Sequence, residues 1–236
     1  MWRRRRSEDG MAAYDYPVEV EEGLHSVRLI GSNSFLIVED ELTLIDAGHR
    51  GSILTLRRYL ASIGRDISEI KRIVCTHGHP DHIGGVHEIA RASGAQVFMH
   101  PADMERLRIR LGEVFNGRPR PGAIIAYLTR APSDATPLAE GDMIPALGGL
   151  RVIHTPGHTP GSICLYSPTR RLIIVGDILQ CLRGQVTYPN EIFTDDMSLA
   201  RESIARLAEL DIETIFFSHY PAVRQGARAA LRGLAS

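Results

Sequence analysis

Three histidines and one aspartate crowd into six consecutive positions, His77-Gly78-His79-Pro80-Asp81-His82, directly after an apolar run at 72–76. Such a string makes a poor piece of core, because buried polar groups need partners and buried charge needs compensation. Around cations the same residues are satisfied together. In an extended loop alternate side chains point the same way, so His77 and His79 can converge on one ion while Asp81 and His82 turn toward a second. Gly78 and Pro80 supply tight curvature, and Gly84-Gly85 lets the next helix begin close to the loop.

Three further donors stand at the ends of strand-like runs. His158 lies within Thr155-Pro156-Gly157-His158-Thr159-Pro160-Gly161-Ser162, Asp177 follows Val175-Gly176, and His219 follows Phe216-Phe217-Ser218. Together with the first string they supply two metal sites. Nitrogen and oxygen donors without cysteine suit zinc, and iron or manganese also fit.

Around these donors the chain alternates short apolar runs with turn residues. Runs at 27–30, 35–38 and 42–45, with Glu39-Asp40-Glu41 as a hairpin turn, predict antiparallel strands. Ile53, Leu56, Tyr59, Leu60 and Ile63 have helical spacing that Gly64 closes. A strand at 72–76, a helix at 86–92 and a strand at 96–99 follow. The second half repeats the order: strands at 143–144, 150–153, 163–166 and 172–175, a helix at 197–210 and a strand at 214–217. This duplication predicts an α/β fold of two sheets packed face to face with helices outside. Residues 1–16 are expected to be a flexible extension and 17–236 one domain. The stretch 101–140 is the least regular, with a helical pattern at Met104, Leu107 and Leu111 and then Pro119, Pro121, Pro132 and Pro137. An insertion of that kind either carries substrate specificity or simply covers core.

Composition excludes several classes. With 44% hydrophobic and 23% charged residues, a chain of 236 residues can bury a large core. A net charge of -1 calls for no polyanionic partner, so nucleic acid is not expected. The basic run Arg3 to Arg6 leads into acidic sequence and reads as a solvated terminus. No apolar run approaches the roughly 20 residues a membrane span needs, and Ser7-Glu8-Asp9-Gly10 stands where a secretory signal would be apolar. A cytoplasmic protein acting on a small-molecule substrate is expected, and a homodimer is compatible with that reading. Cys75, Cys164 and Cys181 are odd in number and lack C-x-x-C spacing, which argues against a disulfide framework or a cysteine zinc knuckle.

The ordered set His77-x-His79-x-Asp81-His82, His158, Asp177 and His219, with Leu44-Ile45-Asp46-Ala47-Gly48 upstream, resembles the metallo-β-lactamase superfamily from about residue 23 to 233. The resemblance implies a four-layer αββα sandwich of two mixed β-sheets. It makes His77, His79 and His158 ligands of one metal, Asp81, His82 and His219 ligands of the other, and Asp177 the bridge. It places Asp46 behind the ligands as their support. His154 is then a neighbour of the site, and His25, His49, His87 and His100 are bystanders. Two cations about 3.5–4 Å apart lower the pKa of a shared water from about 15.7 to about 7, and Asp81 can orient that nucleophile and carry its proton.

Within the family, lactam hydrolysis is disfavoured, since such enzymes commonly carry cysteine where Asp177 stands. Ile178-Leu179-Gln180-Cys181 does not match the glutathione-binding segment of glyoxalase II-type thioesterases. Quorum-quenching lactonases usually have tyrosine three residues after the bridging aspartate, where Gln180 stands; Tyr220 could equip the pocket instead. The expectation is a binuclear hydrolase of a small ester, thioester or lactone. A mononuclear-iron persulfide dioxygenase, a phosphodiesterase and a non-enzymatic metal module are the alternatives.

Overall fold

The computed structural model describes residues 18–106 and 135–235. The extension at 1–16 and most of the 101–140 insertion, including its pattern at Leu107 and Leu111, lie outside the described residues. Two mixed sheets dominate. The larger runs in the order β1 (Val18–Glu21), β2 (Leu24–Arg28), β3 (Asn33–Val38), β4 (Leu42–Ile45), β5 (Ile70–Val74), β6 (Gln96–Met99) and β7 (Thr136–Pro137). It is antiparallel as far as β4 and parallel beyond. The second sheet contains β8 (Met143–Ile144), β9 (Leu150–His154), β10 (Ile163–Ser167), β11 (Leu172–Ile174) and β14 (Thr214–Phe216), in the order β14-β11-β10-β9-β8. Only its β11–β14 pair is parallel.

Side-chain alternation along the strands builds the layers. Phe35, Ile37, Ile45 and Val74 face the gap between the sheets and meet Val152, Leu165, Ile174 and Phe216 there. Leu36, Leu44 and Ile73 point the other way and bury helices α1 (Ile53–Ser62) and α3 (Val86–Ser93) through Leu56, Leu60, Val86 and Ile89. Cys164, Ile173 and Ile215 likewise meet α5 (Met197–Ala208) and α6 (Ala227–Ala235) through Ile204, Leu207 and Leu231. Each such side chain contributes about 1.5–3 kcal/mol on full burial. Phe35 and Phe216 lock the sheets edge-to-face at 5.6 Å between ring centroids. The result is helices, sheet, sheet, helices.

Several elements were not expected from the sequence: β1, β7, a 3-10 turn at Ile67–Glu69, a short helix at Pro80–Ile83, α6 and a two-stranded hairpin, β12 (Gln180–Leu182) with β13 (Gln185–Thr187). The hairpin turns on Arg183 and Gly184 at φ 51 and 80, left-handed at both central positions. Asn-Gly would have announced that turn; Arg-Gly does not. All three cysteines are buried and free. Among the described residues no helix is long and apolar enough to cross a membrane.

Candidate metal centre

Four strands deliver the donors, and a fifth their support, from their C-terminal ends, the edge where open α/β sheets bind ligands. Asp46 follows β4, His77 follows β5, His158 follows β9, Asp177 follows β11 and His219 follows β14. The two sheets are tied together there by backbone: the Ile163 amide donates to Thr76 O at 2.8 Å and the Asn33 amide to Ser218 O at 2.7 Å. After His79 a short helix α2 (Pro80–Ile83) starts, with Pro80 at its first position, so Asp81 and His82 leave the loop in a new direction. The paired glycines behind it are sterically required. A Cβ on Gly84 would stand 2.5 Å from Pro80 O, and one on Gly85 would stand 2.3 Å from Ala47 O.

The side chains form two groups: His77, His79, His158 and Asp177, then Asp81, His82 and His219, with donor atoms in each group within 4.8 Å of one another. Asp177 stands between them. Its Oδ2 lies 3.1 Å from His219 Nε2, 3.8 Å from His158 Nε2 and 4.0 Å from His77 Nε2, while Oδ1 lies 3.4 Å from His82 Nε2. Nitrogens of different histidines also approach closely, His79 Nδ1 to His158 Nε2 at 3.0 Å and His82 Nε2 to His219 Nε2 at 3.3 Å. Two atoms in this crowd, His77 Nε2 and Asp177 Oδ1, are buried with no hydrogen-bond partner in the protein. Orphaned acceptors amid converging nitrogens and carboxylates are what divalent cations would satisfy, so the donor set fits such ions.

Hydrogen bonds on the far side of each ring decide which nitrogen faces inward. Asp46, 1% exposed, accepts from the Thr76 amide at 2.8 Å, the Thr76 hydroxyl at 2.7 Å and His82 Nδ1 at 2.7 Å. Having donated to Asp46, the Thr76 hydroxyl can accept from His77 Nδ1 at 3.1 Å. One carboxylate therefore turns the Nε2 lone pairs of His77 and His82 inward. Thr194 does the same for His158: its hydroxyl donates to Asn190 O at 2.7 Å and can accept from His158 Nδ1 at 3.3 Å. No sequence signal marks Thr194, which sits in an irregular loop far from any motif. Asp81, 24% exposed at its side chain, is braced by the Ser32 hydroxyl, which donates to its carbonyl at 2.5 Å.

Three of the remaining histidines lie outside both groups. His25 Nδ1 meets the Tyr59 hydroxyl at 2.6 Å. His154 stacks on His100 with centroids 4.0 Å apart and pairs its Nε2 with Pro160 O at 2.9 Å, outside both groups. Tyr220 lines a cavity of about 310 Å³ beside His219, together with Arg28, Asn33 and Phe216. Burial, then the charge of Asp177, push its hydroxyl above the ordinary tyrosine value, and Gln180 hydrogen-bonds it. It is therefore a hydrogen-bond donor at neutral pH.

Without cations the cluster holds its charges as ion pairs. Burial would lower the His219 imidazolium, but hydrogen bonds to Asp177 and Asp81 outweigh it and hold the group up at about 9. Burial works against Asp177 as well, yet first the His82 charge and then the His219 hydrogen bond keep it well below the ordinary carboxylate range. His219 is thus charged at neutral pH, and its raised value stabilises the cation-free fold fully below about pH 6.5. That contribution is lost as pH climbs through about 9. In cation-free protein the His219 ring proton followed by NMR should titrate near 9, and in Asp177→Asn it should fall toward the ordinary value. A wild-type midpoint near 6.5 would remove the proposed ion pair.

Comparison with known proteins agrees with this geometry. The family model described as "Metallo-beta-lactamase superfamily" matches residues 27–219. The probable metallo-hydrolase YflN of Bacillus subtilis is 27% identical over 92% of this chain and 92% of its own. A hydroxyacylglutathione hydrolase of Cereibacter sphaeroides is 29% identical over 88% of this chain and 69% of its own. A metallo-beta-lactamase family protein from Thermus thermophilus shares the fold, with a TM-score of 0.74 at 24% identity over 92% of this chain and 79% of that one. Matched from its second strand to the last of its clustered histidines, the chain belongs to the metallo-beta-lactamase superfamily.

Proposed function

We propose that the chain is a binuclear metallo-hydrolase that cleaves a small ester, thioester or lactone. His77, His79 and His158 would hold one cation, Asp81, His82 and His219 the other, and Asp177 would lie between them. The observation that carries this reading is the position of Asp177, whose carboxylate lies within 4.0 Å of a histidine nitrogen from each group. Two divalent ions bound there, zinc before iron or manganese, would supply Lewis acidity that makes water nucleophilic at neutral pH and polarises a scissile carbonyl. Asp81 orients the attacking water and takes up its proton, and its half-open position leaves it a route to the leaving group. Tyr220 donates a hydrogen bond to substrate oxygen from the wall of the adjoining cavity.

A seven-donor site in two groups favours this over a mononuclear persulfide dioxygenase, which needs two histidines and one aspartate. The hydroxyacylglutathione hydrolase relative favours the thioester among the ester-like bonds, whereas the hairpin after Asp177 departs from that family's glutathione segment. A small-molecule substrate in a cytoplasmic setting, with a homodimer as the compatible assembly, completes the proposal. Elemental analysis after loading with zinc, iron or manganese should reach two ions per chain. His158→Ala should lose one, and His154→Ala should keep both. A panel of esters, thioesters, lactones and phosphodiesters then identifies the bond cleaved. Saturation at one ion in the wild type would sink the binuclear reading.

A further inference from the structure

Asp103 lies on α4 (Pro101–Arg106), the one described helix of the irregular 101–140 stretch, and faces none of the clustered donor atoms directly. Its side chain is nonetheless fully buried, at 0% exposure, against the two loops that carry His77, His79 and His158. Oδ2 accepts from the Gly78 amide at 2.6 Å and from the Thr159 hydroxyl at 2.7 Å; Oδ1 accepts from the Gly161 amide at 2.8 Å. Gly78 is the residue between His77 and His79, and Thr159 directly follows His158. Three donors converging on one carboxylate match an ionised group, which only accepts.

The backbone is trimmed around this carboxylate. A Cβ on Gly161 would stand 2.6 Å from the Asp103 amide nitrogen and 2.7 Å from its Cβ and Cγ, and one on Gly78 would stand 3.2 Å from Oδ2. Thr159 is itself held, its amide donating to the Ser162 hydroxyl at 3.0 Å. The arrangement mirrors Asp46, which reaches His82 directly and His77 through Thr76.

We propose that Asp103 is a positioning residue, a buried carboxylate that clamps the 77–79 loop to the 158–161 loop and sets the spacing of His77, His79 and His158. The inference rests on reading those three as ligands of one cation. Outer partners of metal ligands act through ligand orientation, so their loss weakens one site rather than the fold.

The test titrates cobalt(II) alone into cation-free wild type, Asp103→Asn, Thr159→Val and His158→Ala, following visible absorption for each equivalent bound. Asparagine keeps the size of the side chain but replaces an acceptor oxygen with N–H groups. Valine keeps the shape of Thr159 and removes only its hydroxyl. Asp103→Asn should bind one cobalt equivalent about 10- to 100-fold more weakly and the other near the wild-type affinity. Thr159→Val should show a smaller loss at the same equivalent. In the cation-free proteins, amide exchange at Gly78 and Gly161 should quicken in Asp103→Asn. Wild-type affinity for both equivalents in both variants overturns the clamp, and so does equal weakening of both, which marks a general loss of structure. Should Asp103→Asn fail to fold, Thr159→Val decides by the same criteria. If His158→Ala loses an equivalent and the other variants lose nothing, only the clamp fails. If His158→Ala also binds two, the ligand reading fails with it.

Discussion

On the proposed binuclear-hydrolase reading, Asp81→Asn is expected to lower turnover by about 10²–10⁴, while cation content at saturating metal stays at the wild-type level. Asparagine keeps an oxygen that can still face a cation. It loses the negative charge that pairs with His219 Nε2 at 3.2 Å, and it loses the basicity needed to take a proton from the attacking water. The loss corresponds to roughly 3–5 kcal/mol of barrier, the ordinary scale of positioned acid–base assistance. Metal content and kcat measured on the same preparation separate the two effects. A variant with full metal and wild-type kcat would mean that the proton leaves by another group.

Asp46→Ala is expected to have the largest effect on stability, about 3–5 kcal/mol in cation-free protein, with loss of cation binding besides. Two causes add. The methyl group strands the Thr76 amide, the Thr76 hydroxyl and His82 Nδ1, all of which now donate to one buried carboxylate. Position 46 also has φ 59, a left-handed conformation that aspartate and asparagine tolerate and alanine does not. Asp46→Asn keeps the backbone preference and one acceptor, so it should lie between wild type and alanine. Urea denaturation of the three proteins without metal tests the order, and an alanine variant within about 1 kcal/mol of wild type would contradict it.

Much of the architecture could be read from pattern alone. The runs at 35–38, 42–45, 96–99 and 163–166 are short, mostly apolar and bounded by turn residues, as strands buried on both faces are, and the 53–63 spacing presents one face of a helix. Elements without such a pattern escaped. β1 is four residues of alternating Val and Glu with no apolar run, β12 and β13 turn on an unannounced Arg-Gly, and α6 lies in an alanine-rich tail whose apolar face is visible only against α5 and β13.

The sequence by itself determined the chemistry at hand: seven nitrogen and oxygen donors in a fixed order, gathered just past the ends of strands, because donor type and local spacing are covalent facts. What only the tertiary structure decided is which atoms face inward and what holds them there. Asp177 comes to stand between the two groups only when β11 pairs with β14 and the second sheet closes on the first. The inward nitrogens of His77, His82 and His158 are selected by Asp46, through Thr76 where it serves His77, and by Thr194, residues as many as 36 positions away. Asp103, buried from a stretch that reads as an irregular insertion, binds both loops of the first group. Hydrogen bonds between residues distant along the chain leave no periodic trace in it, so their partners become visible only once the sheets have packed.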